Sequence, residues 1–144
     1  MSEQLHILIV DDNPTMASTL ADILAIKGFD VYEVQSGVEA LKVLEDHPID
    51  ILLTDVKMSG MSGVELYREA RKTHPNLYTI FMTAYAADDL INKGLDLGVK
   101  TVLTKPLNID LVLIMFESIH KTIHLSQARA ADAEQKDLPG STKG

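Results

Sequence analysis

The chain has 144 residues, 46% apolar and 24% charged, an ordinary balance for one globular domain with a core of its own. It contains no cysteine, which excludes a disulfide framework, thiolate zinc sites and cysteine nucleophiles. Thirteen basic against 21 acidic residues give a net charge of −8, and with no local basic stripe this excludes direct nucleic-acid binding led by phosphate neutralisation. No apolar run approaches a membrane span and the N-terminus lacks a signal-peptide pattern, so no membrane association and a cytoplasmic location are expected.

The first apolar run, Ile7 to Val10, is nearly continuous, as in a strand covered on both faces. Asn13 then caps a helix with Pro14 at its first position, Leu20, Ile23 and Leu24 form its apolar stripe, and Gly28 stops it. Phe29 to Val34 alternates like an edge strand. Ser36-Gly37-Val38-Glu39 has capping-box spacing and opens a helix that ends near His47-Pro48. Ile49 to Leu53 is the third strand. A second capping box, Ser62 to Glu65, opens a helix ending near His74-Pro75. Thr79 to Met82 is the fourth strand, Ala86 to Leu97 a weaker helix containing Gly94, Thr101 to Leu103 the fifth strand, and Asn108 to about Leu125 the last helix.

Strands alternating with helices require right-handed crossovers. The fold class is therefore α/β, a five-stranded parallel sheet with helices on both faces, in a domain spanning 1–125. Residues 126–144 carry almost nothing apolar and read as a mobile tail or linker, with the stretch from Gln127 to Lys136 able to extend a helix in the presence of a partner.

Open parallel sheets place ligands beyond the carboxyl ends of their strands. Those ends supply Asp11 and Asp12, Asp55, Thr83 and Lys105 in turn. Taken singly, a strand-end aspartate is a helix cap, the threonine a cap and the lysine a solvated cation; five on one rim are not accidental. Crowded carboxylates need a cation, and all-oxygen donors favour a hard ion such as Mg²⁺. A lysine and a hydroxyl opposite them neutralise a phosphoryl group in transfer, with one carboxylate as nucleophile.

The runs Leu8-Ile9-Val10-Asp11-Asp12, Leu53-Thr54-Asp55 through Gly63, Met82-Thr83-Ala84 and Thr104-Lys105-Pro106, in this order, resemble the response-regulator receiver domain of two-component signalling. The resemblance covers residues 5–124. It implies a flavodoxin-like, CheY-like sheet of strand order 2-1-3-4-5, with Asp55 as the phosphoacceptor. It implies Mg²⁺ held by Asp12 and Asp55, by Asp11 through the metal's water shell and by the backbone carbonyl of Lys57. Thr83 and Lys105 would bind the phosphoryl group, and Lys105-Pro106 would be cis. The phosphoryl donor would be a histidine kinase or phosphotransfer protein, and the output a switched protein-interaction surface.

Three departures from the family pattern stand out. Ser59 replaces a frequent proline and is expected to loosen a loop without touching the chemistry. Lys57 and Tyr85 occupy positions that tune access of hydrolytic water. Val102 replaces the aromatic residue that changes rotamer in the family's switch, so transmission is expected to be muted or rerouted.

In the last helix, Leu111 to Phe116 are six consecutive apolar residues that encircle it, so one side is expected to form a homodimer or output-partner interface with the last strand. His120 and His124, with Glu117 a turn earlier, have metal-face spacing, but without a zinc-protease motif they read as a solvated polar face. Two other functions compete. A haloacid-dehalogenase-type phosphatase wants Asp-x-Asp after the first strand, and here the run is Asp11-Asp12-Asn13. A phosphorylation-independent pseudo-receiver tends to lack an acid or the lysine, and none is missing.

Overall fold

The computed structural model of the chain describes residues 4–84 and 89–137, with side chains as far as residue 125. Strands and helices alternate throughout: β1 (His6–Val10), α1 (Pro14–Ile26), β2 (Asp30–Val34), α2 (Gly37–Asp46), β3 (Ile51–Asp55), α3 (Gly63–Thr73), β4 (Tyr78–Thr83), α4 (Asp89–Leu97), β5 (Thr101–Thr104) and α5 (Ile109–Asp137). The central strands are the aliphatic runs, buried at almost every position, while the alternating β2 lies at an edge and is only half-buried.

Local chemistry fixes the helix ends. The Asn13 side chain accepts from Thr15 N at 3.1 Å and Met16 N at 3.2 Å, with Pro14 opening α1. At α3 the box closes in both directions: Ser62 Oγ accepts from Glu65 N at 3.1 Å, and Glu65 accepts from Ser62 N at 2.9 Å. At α2 only half of it forms, because Glu39 reaches one residue further back to Gln35 N at 3.1 Å. Both helices stop one residue before His47 and His74, each of which precedes a proline.

The chain divides into two compact units, residues 1–107 with the sheet and α1 to α4, and residues 108–144 with α5. In the first unit all pairings are parallel and the order is β2-β1-β3-β4-β5, as the resemblance implies. The β1–α1–β2 crossover runs in the opposite direction to the other three, so right-handedness puts α1 on one face and α2, α3 and α4 on the other. Leu8, Val10, Leu52, Ala40, Leu44, Leu66 and Ala70 form the core beneath α2 and α3. Phe81, Val56, Val64, Tyr67, Ile91 and Val99 continue it under α4, with Val102 against their edge. Gly94 of α4 lies so close to the sheet that a Cβ there would run into the Phe81 ring.

One expectation about helix length changes, and another falls partly outside the described residues. Residues 85–88, where the fourth helix was expected to begin and which include Tyr85, fall outside the described residues, and α4 is described from Asp89. In the second unit α5 does not end near Leu125. Asn108 Oδ1 caps it at Leu111 N, 3.1 Å away, and it continues to Asp137. The physical reason is propensity: from Ala128 onward the sequence is dominated by Ala, Glu, Gln, Arg and Lys, which hold a helix without apolar burial. Residues 138–144 of the expected tail lie outside the described residues. Within α5, Val112, Phe116 and Ile119 are a buried stripe, while Leu111 and Ile114 are exposed. Among the described residues no helix is long and apolar enough to cross a membrane.

Candidate functional site

The site is built at the carboxyl end of the sheet, entirely within residues 1–107. Register aligns the strand ends: Val10 lies opposite Thr54, Asp55 opposite Met82, and Thr83 opposite Thr104. The two residues after β1, the last residues of β3 and β4, and the residue after β5 therefore reach one rim, and the five polar residues expected there are Asp11, Asp12, Asp55, Thr83 and Lys105.

Lys105 Nζ is the centre of the arrangement, 2.9 Å from Asp11 Oδ2 and 3.0 Å from Asp55 Oδ2. Its backbone N–H donates to the Thr83 carbonyl at 2.8 Å, fixing the end of β5 to the end of β4, and the Lys105-Pro106 peptide is cis. Asp11 is nearly inaccessible, its side chain 3% exposed, and its other oxygen accepts from Asn13 N at 3.0 Å. Asp12 is exposed, and its Oδ2 accepts from Ser59 N at 3.2 Å. Thr83 is buried at the end of β4, and Lys57 is exposed in the loop after β3.

One ammonium serves two carboxylates, and the titration directions follow. Burial pushes the Asp55 carboxyl above its ordinary range, and half a share of Lys105 does not offset it, with the Asp11 charge adding to the rise. Burial also opposes the Lys105 charge, but hydrogen bonds and charge from both Asp11 and Asp55 outweigh it and raise its pKa.

Oxygens of Asp11, Asp12 and Asp55 lie within 4.8 Å of one another. The donor set is hard, oxygen-only and short of positive charge. It fits an ion that forms one or two carboxylate bonds of about 2.1 Å and keeps water for the rest, the behaviour of Mg²⁺.

Sequence reasoning missed two parts of this site. Ser59 does more than loosen a loop, since its N–H holds an acid of the cluster. Gly63 enters the sequence reading in a capping box and at the end of a family-like run, without a role at the site. A Cβ there would overlap the Asp55 carbonyl oxygen and sit 3.1 Å from Val56 Cα, and Gly63 N donates to the Val56 carbonyl at 2.8 Å. The position needs glycine for close approach of α3 to the Asp55 backbone.

Comparison with known proteins agrees with this geometry. The response regulator receiver domain family matches residues 7–117. Sensor protein EvgS of Escherichia coli is 37% identical over 135 residues, 93% of this chain but 11% of that protein, so the chain spans a small part of that relative. Sporulation initiation phosphotransferase F of Bacillus subtilis is 33% identical over 104 residues, 72% of this chain and 84% of that one. Among solved structures, a CheY-like receiver domain protein from Methanospirillum hungatei superposes with a TM-score of 0.76 at 29% identity, covering 83% of this chain and 96% of that one. The strand order, the acidic rim with its lysine and the family match lead to one conclusion: this chain belongs to the response regulator receiver domain family of two-component signalling.

Proposed function

We propose that this receiver accepts a phosphoryl group on Asp55 from a histidine kinase or phosphotransfer protein in a Mg²⁺-dependent reaction, and that the modification switches a protein-interaction surface. Receiver domains as a family bind Mg²⁺ at an acidic pocket and interact with such kinases and phosphotransfer proteins. The observation that carries the reading is the Lys105 ammonium held between Asp11 and Asp55 at 2.9 and 3.0 Å. It sits where a phosphoryl oxygen on Asp55 would need a counter-charge.

An Asp55 carboxylate oxygen attacks the donor phosphorus. A P–O bond forms, the P–N bond to the donor imidazole breaks, and its electron pair stays on that nitrogen. Lys105 and the Thr83 hydroxyl then bind phosphoryl oxygens. Asp12 and Asp55, the Lys57 carbonyl and, through water, Asp11 would hold Mg²⁺, which when bound would neutralise charge on the transferring group. Hydrolysis returns the carboxylate when water attacks the phosphorus, the P–O bond to Asp55 breaks and inorganic phosphate leaves. The chain has no catalytic activity beyond this self-modification. We take 1–125 as the receiver and 126–144, helical as far as Asp137, as a tail or linker. The last helix, with Leu111 and Ile114 exposed, serves as the homodimer or output surface.

Intact mass after incubation with acetyl phosphate tests the reading. One phosphoryl group is gained only with Mg²⁺ and only with Asp55 present; Asp55→Asn gains none. A folded wild-type sample that gains nothing would instead support a phosphorylation-independent binding module.

A further inference from the structure

His120 and His124 lie one turn apart on α5, and the phosphoryl chemistry uses neither. Their Nε2 atoms approach to 3.0 Å, with ring centroids 4.6 Å apart and planes tilted by 52°. His120 is half-buried and His124 exposed, so the pair opens to solvent. Side chains at this spacing are neighbours on a helix, and here it is the two ring tips that converge.

An Nε2-to-Nε2 approach requires one nitrogen to present its lone pair and the other a proton. A lone pair on neutral imidazole is what a transition metal takes, and when the ion binds the intervening proton is exchanged through solvent onto Nδ1 of the same ring, so that both rings stay neutral. The helix backbone fixes the spacing of the two ligands in advance.

The separation also selects the ion. With metal–nitrogen bonds of about 2.0–2.1 Å, nitrogens 3.0 Å apart subtend roughly 91–97° at the metal. A tetrahedral ion prefers about 109°, which would spread the nitrogens to about 3.4 Å at the same bond length. An angle near 90° belongs to cis positions of square-planar or octahedral ions, and Cu²⁺ heads the divalent affinity order.

We propose that His120 and His124 form a bis-histidine site on α5 for a tetragonal divalent transition metal, Cu²⁺ above Ni²⁺, with water completing the coordination. Among the described residues the acidic cluster is the one group of three acids or histidines within ligand distance, so Glu117 is not counted as a third ligand. Hardness separates the two sites: carboxylate oxygens take Mg²⁺, and imidazole nitrogens take the softer ion. A bound ion would clip one turn of α5 just before the helix continues to Asp137.

The test uses the full chain in excess Mg²⁺, titrated with CuCl₂ by calorimetry and read by electron paramagnetic resonance, beside His120→Gln and His124→Gln. The expected result is one Cu²⁺ per chain with hyperfine coupling from two nitrogens. Either substitution should weaken binding at least about tenfold, because the second ligand no longer binds intramolecularly, and should leave one coupled nitrogen. Far-UV circular dichroism checks that both variants keep their helix. Copper bound equally well by both variants, or a wild-type spectrum without two coupled nitrogens, overturns the proposal. Acetyl phosphate labelling of Asp55 is measured separately and does not bear on it.

Discussion

The main-chain N–H of Ser59 donates to Asp12 Oδ2 at 3.2 Å, joining the loop after β3 to the loop after β1. Proline, frequent at this position in the family, has no N–H to give. Groups that orient a metal-binding carboxylate raise its affinity by fixing its direction. Ser59→Pro should therefore weaken Mg²⁺ binding about threefold to tenfold, the scale of one solvent-exposed hydrogen bond. Ser59→Ala keeps the N–H and should bind as wild type does. Calorimetric Mg²⁺ titration of both variants separates the main-chain effect from the hydroxyl.

Lys105 pairs with two carboxylates, and Asp11 has almost no access to water. Lys105→Met leaves both charges facing each other. In the absence of Mg²⁺ at pH 7 it should cost about 1–3 kcal/mol, below the figure for a fully buried pair because the rim is partly solvated. Urea unfolding measures this, and added Mg²⁺ should restore part of it. An unchanged midpoint would mean that the ion pairs contribute nothing to the fold.

Burial raises the Asp55 pKa above its unfolded value of 3.8, so the folded state holds that proton more tightly. The ionised group then costs stability at neutral pH, and the cost is relieved as pH falls through the raised pKa toward 3.8. Lys105, raised above 10.5, contributes stability that is fully present below that value and lost as pH rises through its folded pKa. Without Mg²⁺, Asp55→Asn should melt roughly 2–4 °C higher than wild type at pH 7. The gap should close near pH 4. Excess Mg²⁺ should narrow or reverse it at pH 7, because only the wild type keeps the full ligand set. Calorimetric melting across this pH range is the check.

Gly63→Ala places a methyl group against main-chain atoms, which have no rotamer to move into. The expected cost is about 1–3 kcal/mol. Phosphorylation by acetyl phosphate should slow further than the loss of folded protein explains, since the displaced atoms belong to Asp55. Denaturant unfolding and labelling rate on the same samples test both halves.

The sheet was legible in the sequence because its aliphatic runs have no other use: Ile7 to Val10 and Ile51 to Leu53 are buried along their length. The rim was legible for a related reason, since Asp11, Asp55 and Lys105 end those runs and a parallel sheet brings such ends together. Ser59 and Gly63 act through main-chain approach between segments, and residue type does not encode that distance. The extent of α5 was underestimated because burial served as the criterion beyond Leu125, where helix propensity decides. His120 and His124 had the spacing of neighbours, but only the side-chain geometry brought their nitrogens together.

Gly94 and Phe81 constrain each other as sequence changes. With the ring in place, any side chain at 94 meets aromatic carbon, and a smaller residue at 81 alone leaves a void beneath α4. Neither site can drift by itself. A compensated double exchange, such as alanine at 94 with leucine at 81, is the one open route, so the two positions should behave as a single unit in any library of variants.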